Sequence, residues 1–128
     1  MVCLDTDVLV AFLRGSVEAA LAVNTSKESG PLRTTIVNRY ELLKGAASSR
    51  RRENLEMVKN ALSAIEVLAL DDDSCDEAAR LYGALRGEGR MVNEFDLLVA
   101  AVVMRNDEIL VTKDEHFSGI AGLRVRSW

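Results

Sequence analysis

The sequence contains few of the residues on which several common classes of site depend. Its 128 residues include two cysteines, Cys3 and Cys75, one histidine, His116, and one proline. Two isolated cysteines and one histidine cannot complete a zinc site with paired ligands, so we predict two reduced, largely buried thiols. A single histidine also excludes acid–base catalysis by a histidine pair within one chain, and we expect His116 to be a surface or supporting residue.

Long apolar runs and phosphate-binding loops are also absent. The longest apolar run, residues 97–104, is far shorter than the ~20 residues that a membrane span needs. Asp5 and Asp7 interrupt the apolar N-terminus, which therefore does not resemble a signal peptide. No G-x-x-x-x-G-K-[ST] loop and no nucleophile elbow occur. We expect a cytoplasmic protein without a membrane segment.

The residues that are present have the composition of a globular protein. Hydrophobic residues make up 48% and charged residues 28%, and the length predicts one domain over residues 1–128. The net charge is −4, which argues against a generally basic nucleic-acid-binding surface. Contact with nucleic acid would therefore need metal ions or a local basic patch.

Strand-like and helix-like segments alternate along the chain. We predict strands at residues 2–4, 33–37, 67–70, 109–112 and 123–126, and helices at residues 8–14, 17–29, 38–48, 53–64, 73–86 and 93–105. This alternation predicts a three-layer α/β/α sandwich around a central, mostly parallel sheet. Such sheets bind ligands at the carboxyl ends of their strands, where the strand order reverses.

Four acidic residues from distant parts of the chain are predicted at that carboxyl edge. Asp5 follows the first strand and Asp114 follows the fourth, while Glu41 and Asp96 each stand three residues after an asparagine that would cap a helix. Each acid alone could be an ordinary capping or turn residue. Clustered carboxylates repel one another, and a hard divalent cation that prefers oxygen ligands would relieve the repulsion. Their joint placement therefore favours a metal site.

The densest basic segment follows one of these acids. It contains Lys44, Arg50, Arg51, Arg52 and Lys59. Two interpretations stay open, a solvated helix end or a track for the phosphate groups of a nucleic acid.

Four segments of the chain resemble the PIN-domain family, in the family's order. They are LDTDVL at residues 4–9, ELLKG at 41–45, EFDLLVAA at 94–101 and VTKDEHF at 111–117. Together the four segments span nearly the whole chain. The compact length is similar to that of the VapC-type ribonuclease toxins in particular.

This resemblance implies a fold, an activity and partners. It implies an α/β/α sandwich and a Mg²⁺- or Mn²⁺-dependent endoribonuclease, the toxin of a VapBC-type toxin–antitoxin module. Family members usually form homodimers and are held inactive by a small VapB-like antitoxin. A metal-activated water would hydrolyse RNA and leave a 5′-phosphate. The metal ligands and catalytic residues would be Asp5, Glu41, Asp96 and Asp114.

The resemblance also implies secondary site residues, namely Asp7, Glu94 and Thr112. Asp7 stands where the family frequently has Asn, and Glu94 stands where it frequently has Asp. Both remain oxygen ligands, so the departures bear on the number of metal ions more than on the class of activity. The basic residues Lys44, Arg50, Arg51 and Arg52 would be the RNA-binding candidates.

Three alternatives remain open from the residues alone. Asp5 and Asp7 form a D-x-D after an N-terminal strand, which is typical of phosphatases and phosphotransferases with an aspartate nucleophile, although a later paired-acid motif is missing. A signalling receiver domain would need a phosphorylatable Asp at the end of the third strand, where the acids after Leu70 have the pattern of a helix cap. A non-catalytic acidic binding module would leave the four acids unexplained.

Overall fold

The computed structural model of the protein describes residues 1–128 and contains every strand and helix that the sequence predicts. The strands are β1 (Val2–Leu4), β2 (Arg33–Thr35), β3 (Glu66–Leu68), β4 (Ile109–Val111) and β5 (Val125–Arg126). The helices are α1 (Thr6–Leu13), α2 (Val17–Lys27), α3 (Ile36–Ser48), α4 (Arg52–Ser63), α5 (Asp72–Gly87) and α6 (Glu94–Arg105), and a 3₁₀ helix spans Glu115–Gly119.

The five strands form one sheet in the order β3-β2-β1-β4-β5, and every neighbouring pair is parallel. The prediction of an α/β sandwich is confirmed, with an entirely parallel sheet. The chain crosses from β3 to the other side of β1 to begin β4, so the strand order reverses between β1 and β4. Leu4 is in register with Val111, which places Asp5 beside Thr112 at the carboxyl edge.

Two apolar cores lie on opposite faces of the sheet, because successive side chains of a strand point to opposite sides. Cys3 and Leu110 belong to the core beneath α5 and α6, whereas Leu4 and Val111 belong to the core beneath α1 to α4. The prediction of a buried thiol is thus confirmed for Cys3 but is wrong for Cys75, which lies on the exposed face of α5. Residues 99–103 of α6 are all buried, with exposed fractions of at most 1%. Helix α6 is therefore held tightly on the sheet, and the position of its first turn is determined by this packing.

Helix α3 begins earlier than predicted, and its cap is a different residue. The β-branched residues Ile36 and Val37, predicted to end the second strand, are helical. The reason is a capping box: the Thr35 hydroxyl accepts a hydrogen bond from the Asn38 backbone N–H, and the Asn38 side chain accepts one from the Thr35 N–H. Asn38 is thus inside the helix, and the prediction that it is the cap is wrong. Glu41 consequently lies in the second turn, where the helix dipole acts on it less strongly.

Helix α6 begins as the sequence predicts. The Asn93 side chain accepts a hydrogen bond of 2.8 Å from the Phe95 N–H, and Asp96 lies in the first turn. The acids after Leu70 also behave as predicted, since Asp71 caps α5 by accepting from the Ser74 N–H at 2.8 Å. No helix combines the length and the apolar character that crossing a membrane requires.

A buried acid at the amino edge of the sheet forms an ion pair with an arginine of β2. The Glu108 side chain is 1% exposed and is paired with Arg33, the first residue of β2. The Arg33 guanidinium also contacts Glu66 at 3.0 Å, and hydrogen bonds to both acids raise its pKa. This edge lies at the opposite end of the strands from the acidic rim, which is the carboxyl edge with Asp5, Glu41, Asp96 and Asp114.

Replacing Arg33 should therefore destabilise the fold without disturbing the rim. We expect Arg33→Leu to lower the free energy of unfolding by about 3–5 kcal/mol, because Glu108 would be left buried without its partner. Urea denaturation measures this change. The matched control is Arg80→Leu, which removes an exposed ion pair with Glu77 and should change stability by less than about 1 kcal/mol. Equal small effects of both variants would contradict a stabilising role for the buried pair.

Candidate functional site

Asp5 lies at the carboxyl end of β1, and its carboxylate is held by two side-chain donors. Its Oδ1 accepts a hydrogen bond of 2.8 Å from the Asn38 amide, and its Oδ2 accepts one of 2.7 Å from the Thr112 hydroxyl. Asp5 is only 6% exposed. Burial raises the pKa of its carboxyl group to about 6, and the nearby Asp7 charge acts in the same direction, against the hydrogen bonds. Asp5 is therefore rigidly placed in surroundings that oppose its negative charge.

A chain of hydrogen bonds connects Asp5 to Glu41. The Asn38 amide that donates to Asp5 also donates to the Thr6 hydroxyl at 2.9 Å, and that hydroxyl donates to Glu41 Oε1 at 3.1 Å. Asn38 is fully buried. The sequence analysis missed both connecting residues. The available signals were the position of Thr6 directly after Asp5 and the spacing of one helical turn between Asn38 and Glu41.

Asp96, Asp114 and His116 form a second group on the same rim. One ligand atom from each lies within 4.8 Å of those of the other two. His116 Nδ1 is 3.1 Å from Asp114 Oδ1 and 3.9 Å from Asp96 Oδ2, and the imidazole is largely exposed. Partial burial raises the pKa of Asp96, the charges of Asp114 and Glu41 raise it further, and His116 opposes them. The pKa of Asp96 therefore depends on the charges of three other side chains of the rim.

This arrangement fits a divalent cation. The rim offers carboxylate oxygens from several segments, which hard cations such as Mg²⁺ and Mn²⁺ prefer, and one imidazole nitrogen. Burial is the main cause of the raised pKa values of Asp5 and Asp96, and neighbouring carboxylates act in the same direction on both groups, so a bound cation would favour their ionised forms. Asp5 and Glu41 lie outside the tight group around Asp114, so the four predicted residues form a rim and not one compact cluster.

The Asp7 carboxylate accepts hydrogen bonds from its own helix, from the segment after β4 and from the last residue of the chain. Its Oδ2 accepts from the Lys113 N–H at 2.7 Å and lies 3.2 Å from the Thr112 hydroxyl oxygen, whose single proton is directed to the closer Asp5. Its Oδ1 accepts from the Val8 N–H at 2.6 Å and from the Trp128 indole at 3.3 Å. Three N–H donors therefore hold this carboxylate, which suits a structural role. Nothing in the sequence pattern pointed to the contact with Trp128.

Thr112 and Glu94 differ in their surroundings. Thr112 is buried, donates to Asp5 and accepts a hydrogen bond of 3.0 Å from the Asp114 N–H, so it links two of the rim acids. Glu94 is the first residue of α6 and is exposed. Thr112 thus acts directly on the rim acids, whereas Glu94 lies at the solvent-facing start of their helix.

The basic residues are divided between two places. Lys44 is in α3, close to one helical turn from Glu41, and its ammonium lies 5.9 Å from the ring centroids of Tyr40 and Phe95. Arg50 and Arg51 follow the last residue of α3, and Arg52 begins α4. The end of α3 is about 10 Å along the helix axis from Glu41. Of the four basic candidates, Lys44 alone is on the same helix as a rim acid.

The chain matches a known family over most of its length. Residues 2–123 match the family model described as PIN domain. The chain is 27% identical to the tRNA(fMet)-specific endonuclease VapC of Shigella flexneri over 127 residues, which is 98% of this chain and 96% of that relative. It is 30% identical to ribonuclease VapC10 of Mycobacterium tuberculosis over 112 residues, which is 88% of this chain and 81% of that relative.

Solved structures show the same fold. A VapBC2 complex from Rickettsia felis bound to a promoter DNA fragment contains a chain that superposes with a TM-score of 0.92 at 20% identity, covering 100% of this chain and 99% of that one. A DNA-bound VapBC complex from Salmonella typhimurium contains another, with a TM-score of 0.85 at 24% identity, covering 100% and 99%. At these identities the likeness concerns the fold.

The burial of the Asp5 carboxylate predicts that the variant Asp5→Asn, whose side chain is uncharged, is more stable than the parent protein at pH 7. The folded-state pKa of about 6 exceeds the ordinary value of 3.8, so the folded protein binds this proton more tightly than the unfolded chain does. The stability that Asp5 contributes is then fully present below about pH 4 and is lost as the pH rises through about 6. We expect Asp5→Asn to raise the free energy of unfolding at pH 7 in EDTA by up to about 3 kcal/mol.

Urea denaturation at pH 4 and pH 7 measures this effect, which should shrink towards zero at the lower pH. An asparagine can keep both hydrogen bonds, by accepting from Asn38 and donating to the Thr112 hydroxyl. Asp76→Asn, on the exposed face of α5, is the control for the change in net charge. A loss of stability in Asp5→Asn at pH 7 would show that the hydrogen bonds to the carboxylate outweigh the penalty of burying it.

Proposed function

This chain belongs to the PIN-domain family, and on that premise we propose that residues 1–128 form one domain of a divalent-metal-dependent endoribonuclease, the toxin of a VapBC-type module. The chain has the fold and the nuclease class of the VapC proteins that it matches. One observation carries the assignment of the site: acids from four separate segments lie at the carboxyl edge where the strand order reverses. The proposed catalytic residues are Asp5, Glu41, Asp96 and Asp114.

The proposed metal ligands are the same four acids. His116 lies beside two of them, Asp96 and Asp114. Asp96 and Asp114 would hold the cation most directly, because their oxygens already lie within 4.8 Å of each other. A bound Mg²⁺ or Mn²⁺ supplies a Lewis acid that makes water a stronger nucleophile at neutral pH and offsets negative charge on the phosphate. The choice between these two ions stays a prediction.

The remaining residues of the rim hold the acids in position. Thr112 and Asn38 each donate a hydrogen bond to Asp5, and Thr6 donates one to Glu41. Since hydroxyl and amide donors stabilise the ionised form of a carboxylate, they partly counter the effect of burial. The acids are thus oriented before any substrate arrives, which is the preorganisation that electrostatic catalysis requires.

The proposed reaction is hydrolysis of a phosphodiester by water. Water attacks phosphorus, the bond to the 3′ oxygen breaks, and the products are a 5′-phosphate and a 3′-hydroxyl. The 2′-hydroxyl takes no part in this route. Formation of a 2′,3′-cyclic phosphate by a pair of histidines is excluded within one chain, which has one histidine.

We also propose that a small VapB-like antitoxin binds and inhibits this chain. Support comes from the superposition of the chain on members of VapBC complexes from Rickettsia felis and Salmonella typhimurium. An RNA substrate follows from the ribonuclease names of the relatives. The homodimer, the cytoplasmic location and the phosphate track along Arg50, Arg51 and Arg52 stay predictions.

The nuclease proposal is tested by cleavage of a labelled RNA pool with purified protein in Mg²⁺. We expect Asp96→Asn to reduce cleavage at least about 100-fold, because the variant removes a charge at the centre of the rim. EDTA should abolish cleavage by the parent protein, and the products should carry 5′-phosphates. Asp76→Asn, with the same change in net charge on α5, should cut like the parent. Equal cutting by parent and Asp96→Asn, or recovery of a cyclic phosphate, would overturn the proposal.

The toxin proposal is tested in cells. The chain expressed without an antitoxin should inhibit the growth of a bacterial host, and Asp96→Asn should remove the inhibition while accumulating to at least the same level. Colony counts after induction, with immunoblots for the amount of protein, measure both. Growth inhibition of equal strength by the parent and the variant would indicate an effect of expression unrelated to the acidic rim.

A further inference from the structure

Two aromatic side chains meet on the surface next to the acidic rim. Tyr40 from α3 is 52% exposed and Phe95 from α6 is 39% exposed. Their ring centroids are 5.8 Å apart, with the planes tilted by 55°. Large apolar rings are normally buried against the core, so a contacting pair that faces solvent marks a surface available for binding.

The pair is adjacent to the acids on both helices. Tyr40 directly precedes Glu41, and Phe95 directly precedes Asp96. Because the two rings are in contact, the start of α6, which carries Asp96, lies beside the part of α3 that carries Glu41. The aromatic surface is therefore continuous with the rim.

The rings cannot turn inward. On α3 the buried positions are Val37, Asn38, Leu42 and Ala46, which leaves Tyr40 on a different side of the helix. On α6, Leu97 enters the core, while the Asn93 side chain holds the Phe95 backbone N–H at the first turn. The two helices thus fix an exposed aromatic surface in place.

The positively charged side chain of Lys44 lies over the two rings. The Lys44 ammonium is 5.9 Å from both ring centroids, one helical turn from Tyr40. Unlike Lys113, which pairs with Glu18 at 3.0 Å, Lys44 forms no ion pair with an acid of this chain. Its charge is available to a ligand that is negatively charged.

We infer that Tyr40 and Phe95 form a stacking platform for one unpaired nucleobase of the RNA substrate, with Lys44 contacting a neighbouring phosphate. The inference rests on the proposed function and names the form of its substrate as single-stranded at this position. A flat apolar face beside a positive charge is what single-stranded nucleic acid binds, because each base has a π-face and each linkage a phosphate. A base within a duplex has both faces covered, so it cannot occupy the platform.

The tilt between the rings assigns them different tasks. Two rings inclined at 55° cannot both stack on one base. Tyr40, the more exposed ring, stacks on the base, and Phe95 supports it from the side. The platform therefore tolerates any base and selects for one that is unpaired.

The first test measures binding of a short fluorescein-labelled single-stranded RNA in EDTA by fluorescence anisotropy, so that cleavage plays no part. We expect Tyr40→Leu to weaken binding about tenfold, and Tyr40→Phe to keep it within about twofold, because phenylalanine retains the stacking face. Tyr82→Leu is the matched control, an exposed tyrosine on α5. Lys44→Met should reduce the slope of log Kd against log salt by about one. Equal binding by Tyr40→Leu and the parent would overturn the platform.

The second test locates the contact directly. The same RNA with 5-iodouracil is cross-linked by light to the parent protein, and tryptic peptides are identified by mass spectrometry. Cleavage after Arg39 and Lys44 isolates Tyr40 in residues 40–44, cleavage after Arg90 and Arg105 isolates Phe95 in residues 91–105, and Tyr82 falls in residues 81–86. Cross-links at Tyr40 or Phe95 support the platform. Cross-links confined to other peptides overturn it.

The tests also separate the platform from two other outcomes. If Tyr40→Leu converts a dimer to a monomer in sedimentation and the parent gives no cross-link at Tyr40 or Phe95, the pair is a contact between two copies and the inference is wrong. If Asp96→Asn fails to reduce RNA cleavage while the cross-links at Tyr40 remain, the proposed catalytic site fails and the platform stands as an RNA-binding surface.

Discussion

The buried carboxylate of Asp5 is the constraint around which the rest of the rim is arranged. Its backbone N–H donates to the Val111 carbonyl at 3.1 Å, which continues the pairing of β1 with β4 by one residue. Its side chain then accepts from Thr112 at the end of β4 and from Asn38 in α3. A buried carboxylate needs donors, and here the donors come from the neighbouring strand and from the helix that follows β2. The same hydrogen bonds thus join the sheet to the site.

The rim opposes the stability of the fold that carries it. Burial raises the pKa of Asp5 to about 6, and the charges of Asp114 and Glu41 add to the effect of partial burial on Asp96. Acids held together in this way destabilise the protein unless a cation joins them. At the other end of the strands, the buried Glu108 has Arg33 as its partner. The buried acid at the amino edge has a cationic partner within the chain, whereas the acids at the carboxyl edge, where we propose the active site, would gain one only from a bound cation.

Several details of the site depend on cap chemistry that spacing alone did not reveal. An asparagine three residues before Glu41 predicts a cap, but the hydroxyl of Thr35, the last residue of β2, takes this role three residues earlier. Because Thr35 becomes the cap, Asn38 turns inward and its amide reaches both Asp5 and Thr6. Asn38 therefore connects two acids and, contrary to the prediction from the sequence, does not cap the start of α3.

The sequence by itself determined the class of fold, the order of the elements and the acids at the carboxyl edge, because hydrophobic periodicity and the position of a residue after a strand are local properties. It also indicated the family, through four short segments in order. Only the tertiary structure decided which side chains meet. The link from Asn38 through Thr6 to Glu41, the contact of Trp128 with Asp7 and the pairing of Tyr40 with Phe95 join residues 32 to 121 positions apart. Such contacts depend on strand order and helix packing, which no local pattern specifies.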